Sequence, residues 1–251
     1  MSDGTVAPGQ GFPGVDGPAV STGDEPLNRL SSVLRRIGAV AVGHPVADDV
    51  VSDVTDQLNV LADQLEAAAE PTKRFRPQPS ALGHPQDYFP TSPIVGYSNP
   101  IAPPIDVWVV LGEGGQREMR GRATFDYPYE GPPTCVHGGV IAELFDELLG
   151  AANIVAGQAA MTGTLTVRYR RPTPLMAPLD LESRMTGKDG RKIYAWGGIY
   201  YQGELTAEAE GIFIEVPPGR MLDIVTQNAS ETDATVVDPM FARMIAENTP
   251  G

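Results

Sequence analysis

The chain has 251 residues, 41% of them hydrophobic, which is typical of a globular protein. Its net charge of −14 comes from 32 acids against 18 bases. This charge argues against nucleic-acid binding, because phosphate contacts need clustered Lys and Arg. No apolar run approaches the roughly 18 residues that a membrane span requires, and the start Met1-Ser2-Asp3-Gly4 lacks the basic and apolar regions of a signal peptide, so we expect a cytoplasmic protein without membrane insertion. A single cysteine, Cys135, and three histidines argue against a disulfide and against a metal site.

The first 104 residues divide into three predicted segments. Residues 1–24 are rich in small residues and Pro, cannot bury enough apolar surface to offset the entropy of ordering, and are predicted to be a disordered tail. Residues 25–70 are predicted to be a helical hairpin, broken near Gly43-His44-Pro45, that packs on the main domain or on a partner subunit. Residues 71–104 are Pro-rich and predict an extended connection. The hairpin is indicated by apolar residues at helical spacing, at Leu27, Leu30, Leu34 and Ile37 and again at Val50, Val54, Leu58, Leu61 and Leu65.

Residues 105–216 have the pattern of strands around one helix. Residues from Val140 to Ala152 form a wide apolar face, which predicts a long helix buried on nearly all sides. Short turns such as Lys188-Asp189-Gly190 join the later strands. We therefore predict an α+β domain in which a curved antiparallel sheet wraps around one central helix, followed at 217–251 by a C-terminal extension with a short peripheral helix. The predicted strands are 107–111, 116–125, 164–171, 179–186, 192–201 and 204–216.

Three stretches of this domain form one pattern. The first runs from Tyr129 to His137-Gly138-Gly139, the second is Phe145-Asp146-Glu147, and the third runs from Thr162 to Pro172. Together they resemble the hotdog-fold thioesterases with a His-Gly-Gly motif, which are related to 4-hydroxybenzoyl-CoA and phenylacetate-pathway thioesterases. The resemblance covers about residues 88–216. It implies a hotdog fold and an enzyme that hydrolyses acyl-CoA with water, without a cofactor.

The two glycines stand at the start of the predicted helix. Free N–H groups there, together with the helix dipole, suit a carbonyl oxygen that becomes negative in a transition state. We predict that the Gly138 N–H is the oxyanion donor, as the resemblance also implies, and that Gly139 contributes to substrate binding. The alternative is that both glycines only permit tight helix–sheet packing. His137 either bonds the thioester carbonyl or positions the loop, and we favour positioning. Gly131 stands where some relatives have an asparagine, which leaves more weight on Gly138.

Asp146 follows His137 by nine residues, inside the predicted helix. Its apolar neighbours predict burial, which is costly for a carboxylate without a function. The resemblance implies a general base for water or a nucleophile, and the sequence leaves both open. The alternative is that Asp146 or Glu147 merely faces solvent. The resemblance implies that Thr162 holds the water or supports the acid; alternatively Thr162 bonds only to backbone.

The spacing of these groups predicts a homodimer. The eight residues from Gly138 to Asp146 correspond to about 12 Å of helical rise, more than one reacting carbonyl can span. Two subunits with antiparallel helices side by side would bring the glycine of one near the acid of the other. The resemblance also implies that the two groups come from different protomers. A further pairing into a tetramer, a dimer of dimers, is left open.

A cluster of bases follows Thr162 on the same predicted strand. Arg168, Arg170 and Arg171 could bind the phosphates of coenzyme A, and alternation sets the first two on one face and the third on the other. The alternative is a solvated basic strand edge that resists aggregation. Cys135 has no evident acid–base dyad and is not favoured as a nucleophile.

Two other functions compete with thioester hydrolysis. The first is a non-catalytic acyl-CoA sensor or binding module, in which the N-terminal hairpin transmits occupancy. The second is a hotdog dehydratase, which fits poorly because His137 precedes two glycines. The acyl group itself is not readable from the sequence. Met161, Trp196 and Phe213 are either walls of an acyl tunnel or ordinary core residues.

Overall fold

The computed structural model describes residues 25–69, 90–158, 160–217 and 220. The predicted N-terminal tail and the predicted C-terminal helix lie outside these residues. The chain divides into two compact units, Met1–Arg36 with Pro77–Val216 and Ile37–Arg76 with Pro217–Gly251. The elements in chain order are α1 (Glu25–Gly43), α2 (Asp48–Ala67), β1 (Ile105–Leu111), β2 (Arg117–Ala123), α3 (Gly138–Val155), β3 (Ala160–Tyr169), β4 (Leu179–Asp189), β5 (Lys192–Tyr201) and β6 (Glu204–Glu215).

The strands form one six-stranded antiparallel sheet in the order β1-β2-β4-β5-β6-β3. Alternate residues are buried on the face that packs against α3, as the period of two in a pleated strand requires. Gly197 and Gly211 permit close packing, because a Cβ at either position would lie 3.2 Å from a methyl group of Leu149 on α3. The prediction of an α+β fold with a sheet around one central helix is confirmed.

The helix α3 is buried on one side only. Its apolar stripe, Ile141, Leu144, Phe145, Leu148, Leu149 and Ala152, is at most 2% exposed and forms the centre of the core. The opposite side carries the exposed Gly139, Glu143 and Asp146. The prediction of nearly all-round burial is therefore wrong, because the sheet of one chain covers only one side of the helix.

Residues 90–104, which we call the strap, precede β1. They form a series of turns, whereas residues 71–89 of the predicted extended connection lie outside the described residues. The Ser98 hydroxyl donates to Asn28 Oδ1 on α1 at 2.7 Å, and Arg35 donates to the Asn99 carbonyl at 2.8 Å. These bonds tie the strap to the first half of α1.

The helix α2 belongs to the second unit. The predicted helical periodicity is present, but α2 has no buried residue, and apolar side chains such as Val50 and Leu65 are 48% and 57% exposed. The apolar face of α2 is thus not buried by the other described residues of this unit. None of the helices in the described ranges is long and apolar enough to cross a lipid bilayer.

Candidate active site

His137 is the N-cap of α3. Its Nδ1 accepts a hydrogen bond from the Gly139 N–H at 3.0 Å, and its own backbone N–H donates to the Tyr129 carbonyl at 2.8 Å. In the neutral ring the proton is then on Nε2. His137 thus anchors the motif loop to the helix, and the Gly139 N–H is occupied by the cap. Because the Gly139 N–H is already hydrogen-bonded, it does not support the predicted contribution of Gly139 to substrate binding.

The Gly138 N–H is the open donor at this helix start. Gly138 is the first residue of α3, and no acceptor for its N–H lies within the described parts of the chain. Its carbonyl accepts a hydrogen bond from the Tyr169 hydroxyl at 2.7 Å. Sequence reasoning missed this tyrosine, because the contact joins residues 31 apart and no local pattern encodes it.

Gly131 is packed against the histidine. A Cβ at Gly131 would lie 2.7 Å from His137 Cα, closer than a side chain can approach. The position therefore has no room for an asparagine with this backbone. The absence of a side-chain amide at this position thus follows from the loop geometry, and the Gly138 N–H is an open amide at the helix start within the described residues.

The structure brings Asp146 and Thr162 together. The Thr162 hydroxyl donates to Asp146 Oδ1 at 2.7 Å. A shift of register between Thr162 and Thr164 marks a β-bulge, a device that redirects side chains. The Thr162 hydroxyl is therefore bonded to the acid and not only to backbone. The predicted burial of Asp146 is wrong for a single chain: its side chain is exposed, because it lies on the open side of α3.

A cavity of about 390 Å³ lies beside these two residues. Small-molecule sites commonly have volumes of about 300–1,000 Å³. Met161 and Phe213 line it, as one of the two alternatives for them proposed. Trp196 does not: its ring lies 4.4 Å from Arg184, and its indole N–H donates to Glu208 at 3.2 Å. The polar residues of the lining are Asp146, Glu147 and Thr162, and its apolar residues include Val95, Val107, Leu148, Ile154, Met161 and Phe213.

Glu147 is a second carboxyl in the cavity wall. Burial raises the pKa of this group above its usual value, and the neighbouring Asp146 charge raises it further, while a hydrogen bond from Ser92 acts in the opposite direction. The sequence left Glu147 only as a minor candidate. The sequence shows Glu147 only as an acid directly after Asp146 on the same helix, and this position does not predict the contact with Ser92 of the strap.

The three predicted phosphate-binding arginines are all in ion pairs. Arg168 and Arg170 lie on one face, as alternation predicted, and their partners are on β6. None of the three lines the cavity. Because each is paired with a carboxylate, coenzyme A phosphates would compete with that carboxylate for the arginine. Arg170 and then Trp196 lower the pKa of Glu208 by hydrogen bonding to its carboxylate. The pairs are Arg168 with Glu210 (3.1 Å), Arg170 with Glu208, and Arg171 with Glu204 (2.6 Å).

Cys135 is half-buried and is not in a disulfide bond, and its backbone pairs with that of Pro174 in an isolated antiparallel β-bridge. Within the residues that the structure describes, no group of three or more His, Cys, Asp or Glu side chains could hold a metal ion. Of the candidate groups, the carboxylates of Asp146 and Glu147 and the Thr162 hydroxyl line the cavity, whereas the Gly138 amide is at the start of α3, outside the cavity lining.

A curved six-stranded sheet around α3, with a His-Gly-Gly helix start, defines a hotdog-fold protein of the thioesterase type. No family model matches the chain. The acyl-coenzyme A thioesterase THEM4 of Xenopus laevis is 36% identical over 94 residues, which is 36% of this chain and 42% of that protein. The Bos taurus THEM4 is 34% identical over 94 residues, 36% of this chain and 38% of that protein. The chain thus matches less than half the length of these curated relatives.

A solved structure extends the comparison over most of the chain. The crystal structure of a thioesterase superfamily protein is 32% identical, covers 80% of this chain and 94% of its own, and superposes with a TM-score of 0.67. The chain therefore belongs to the thioesterase superfamily.

Proposed function

We propose that the protein hydrolyses acyl-CoA thioesters to the free acid and coenzyme A. The observation that carries the proposal is the Asp146–Thr162 pair in the wall of a largely apolar cavity. Such a carboxylate can activate water beside a bound acyl group, because it is close to the reacting carbon and oriented by the hydroxyl. The superfamily and the acyl-CoA thioesterase relatives support the same substrate class.

Two routes use these groups. In the first, the Asp146 carboxylate takes a proton from water, the water oxygen bonds to the thioester carbon, the C–S bond breaks, and the thiolate leaves and accepts the proton. In the second, the Asp146 carboxylate attacks the thioester carbon, the C–S bond breaks, and coenzyme A leaves as the thiolate, which gives a mixed anhydride; water then hydrolyses the anhydride to the Asp146 carboxylate and the free acid, and the proton released goes to the thiolate. In both routes the Gly138 N–H stabilises the negative carbonyl oxygen.

The two routes differ in where water oxygen ends up. A single turnover in ¹⁸O water labels only the released acid if Asp146 is the general base. If Asp146 is the nucleophile and water attacks its side of the anhydride, mass spectrometry of the peptide that contains Asp146 finds the label there.

We further propose that the catalytic site is completed by a second copy of the chain. The helical rise of about 12 Å between Gly138 and Asp146 keeps the two groups of one chain apart. Within the described residues, the strand β3 is at one end of the sheet, pairs with β6 on one side and is mostly exposed, and such an edge is a template for pairing. Antiparallel pairing of two β3 edges would set the open sides of two α3 helices together, so that Gly138 of one copy approaches Asp146 of the other.

The test is release of free thiol from a series of acyl-CoA thioesters. We expect Asp146→Asn, which keeps the shape of the side chain but loses the carboxylate, to reduce kcat by at least 10²-fold while the fold is retained. If this variant turns over at the wild-type rate, or if the wild-type protein releases no coenzyme A from any acyl-CoA, the proposed function is wrong. Binding of acyl-CoA without turnover would favour the sensor alternative.

A further inference from the structure

The strap forms part of the cavity wall, although it lies outside the sheet and α3. Val95 is the strap residue that lines the cavity, where it lies near Val107 of β1 and Leu148 of α3. Its side chain is buried and belongs to the hydrophobic core. An acyl chain in the cavity would therefore contact a wall residue that comes from outside the sheet and α3.

One serine holds this part of the strap in place. The Ser92 Oγ accepts the N–H groups of Ile94 at 3.1 Å and Val95 at 3.3 Å, and its own hydroxyl donates to the Glu147 carboxyl. All of its hydrogen-bonding capacity is thus used. The turn is also tight, since a Cβ at Gly96 would lie 2.5 Å from Ser92 N. The Val95 backbone has little freedom to move away from the cavity.

The other end of the strap is fixed as well. The Tyr129 hydroxyl donates to the Ile101 carbonyl at 3.0 Å, and the Ser98 hydroxyl donates to Asn28. The strap is therefore attached on both sides of Val95. A wall fixed in this way can exclude ligands by size, because enlarging the cavity would break buried hydrogen bonds.

We propose that Val95, held by the hydrogen bonds that the Ser92 hydroxyl accepts from the strap, determines the size of the acyl group that the cavity accepts. The inference rests on the proposed function, since the acyl group is the ligand. A volume of about 390 Å³ holds roughly a dozen non-hydrogen atoms at about 30 Å³ each. The substrate class is then acyl-CoA with an apolar acyl group of medium size.

The first experiment measures kcat/KM for saturated acyl-CoAs from acetyl to palmitoyl. We expect Val95→Ala to move the optimum to chains longer by about two carbons, and Val95→Phe to move it to shorter chains. Ile94→Ala is the matched control, because Ile94 is a buried neighbour in the strap that does not line the cavity, and its optimum should stay that of the wild type. An optimum that is the same in both Val95 variants and the wild type overturns the inference.

The second experiment tests the contact between the Ser92 hydroxyl and the strap. We expect Ser92→Ala to reduce discrimination against chains longer than the optimum by about 5- to 10-fold, because one hydrogen-bonded group holds the wall. Ser92→Thr keeps the hydroxyl and should restore discrimination. Thermal melting separates this effect from a loss of folding. A Ser92→Ala variant that is folded and as selective as the wild type overturns the role of the contact.

A binding measurement keeps the inference testable if the proposed function fails. If the wild type releases no coenzyme A, saturated fatty acids from hexanoate to palmitate are titrated into the same variants by calorimetry. A change in preferred length in the Val95 variants supports the size limit without hydrolysis. An unchanged preferred length, or no binding of any fatty acid, overturns it.

Discussion

The first turn and the middle of α3 differ in how far one chain completes them. At the first turn, the N–H groups of His137 and Gly139 and the carbonyl of Gly138 all have partners within the described residues, whereas the Gly138 N–H is open. In the middle, Asp146 has the Thr162 hydroxyl and otherwise faces solvent. The donor is thus rigid and nearly complete, whereas the acid is held on one side. In the proposed dimer, the second chain would therefore have more to add around the acid than around the donor.

Removing the open donor should have the largest effect. Gly138→Pro deletes the N–H, and proline is well tolerated at the first helical position after an extended residue such as His137 (ψ 133°). We expect kcat to fall by roughly 10²–10³-fold. Gly138→Ala is the matched control, because it adds a side chain but keeps the N–H, and it should be at least ten-fold more active than the proline variant. Equal activities would show that the amide is not the donor.

Mixing two inactive variants tests whether the two regions of α3 act across chains. Asp146→Asn and Gly138→Pro, co-expressed in equal amounts and assembled at random, should recover about a quarter of wild-type activity, because half of the dimers would hold one intact site of two. The readout is thiol release by the whole mixture, purified through one tag that both variants carry. Each variant expressed alone is the control. Activity no greater than the sum of the two controls would exclude a shared site.

The one-sided support of Asp146 can be removed separately. Thr162→Val deletes the hydroxyl and keeps the shape, and we expect kcat to fall by about ten-fold, the effect of one hydrogen bond, with KM little changed. Thr162→Ser retains the hydroxyl and should recover most of the rate. If KM rises and kcat is unchanged, Thr162 binds substrate and does not orient the acid.

Glu147 should have the smallest effect, and it should be visible in stability. Its raised pKa means that the folded state holds the proton more tightly than the unfolded state, so the wild type should lose stability as pH rises from about 4.5, the ordinary value, through the raised pKa. Glu147→Gln should lack this loss. Urea unfolding between pH 4 and 8 measures the difference, and Glu143→Gln on the exposed side of α3 controls for the removal of one carboxylate. Parallel pH curves for wild type and Glu147→Gln would contradict the prediction.

Strand and helix order could be predicted because they depend on local periodicity. The fifth predicted strand, 192–201, coincides with β5, and the fourth, which began at Leu179, differs from β4 only at its end. The His-Gly-Gly spacing likewise indicated a helix start at Gly138, where α3 begins. The burial of Asp146 was wrong for a physical reason: helical periodicity defines an apolar stripe but not how much of the remaining surface the sheet covers.

By itself, the sequence determined the α+β class, the position of the helix and where the candidate residues Gly138 and Asp146 lie on it, because neighbouring residues carry that pattern. Only the tertiary structure decided that Thr162 bonds Asp146, that Tyr169 bonds Gly138, that the strap carries Val95 into the cavity wall, and that the three arginines are in ion pairs. Most of these contacts join residues far apart in the chain. They depend on the path of the backbone through space, which no local spacing of residues specifies.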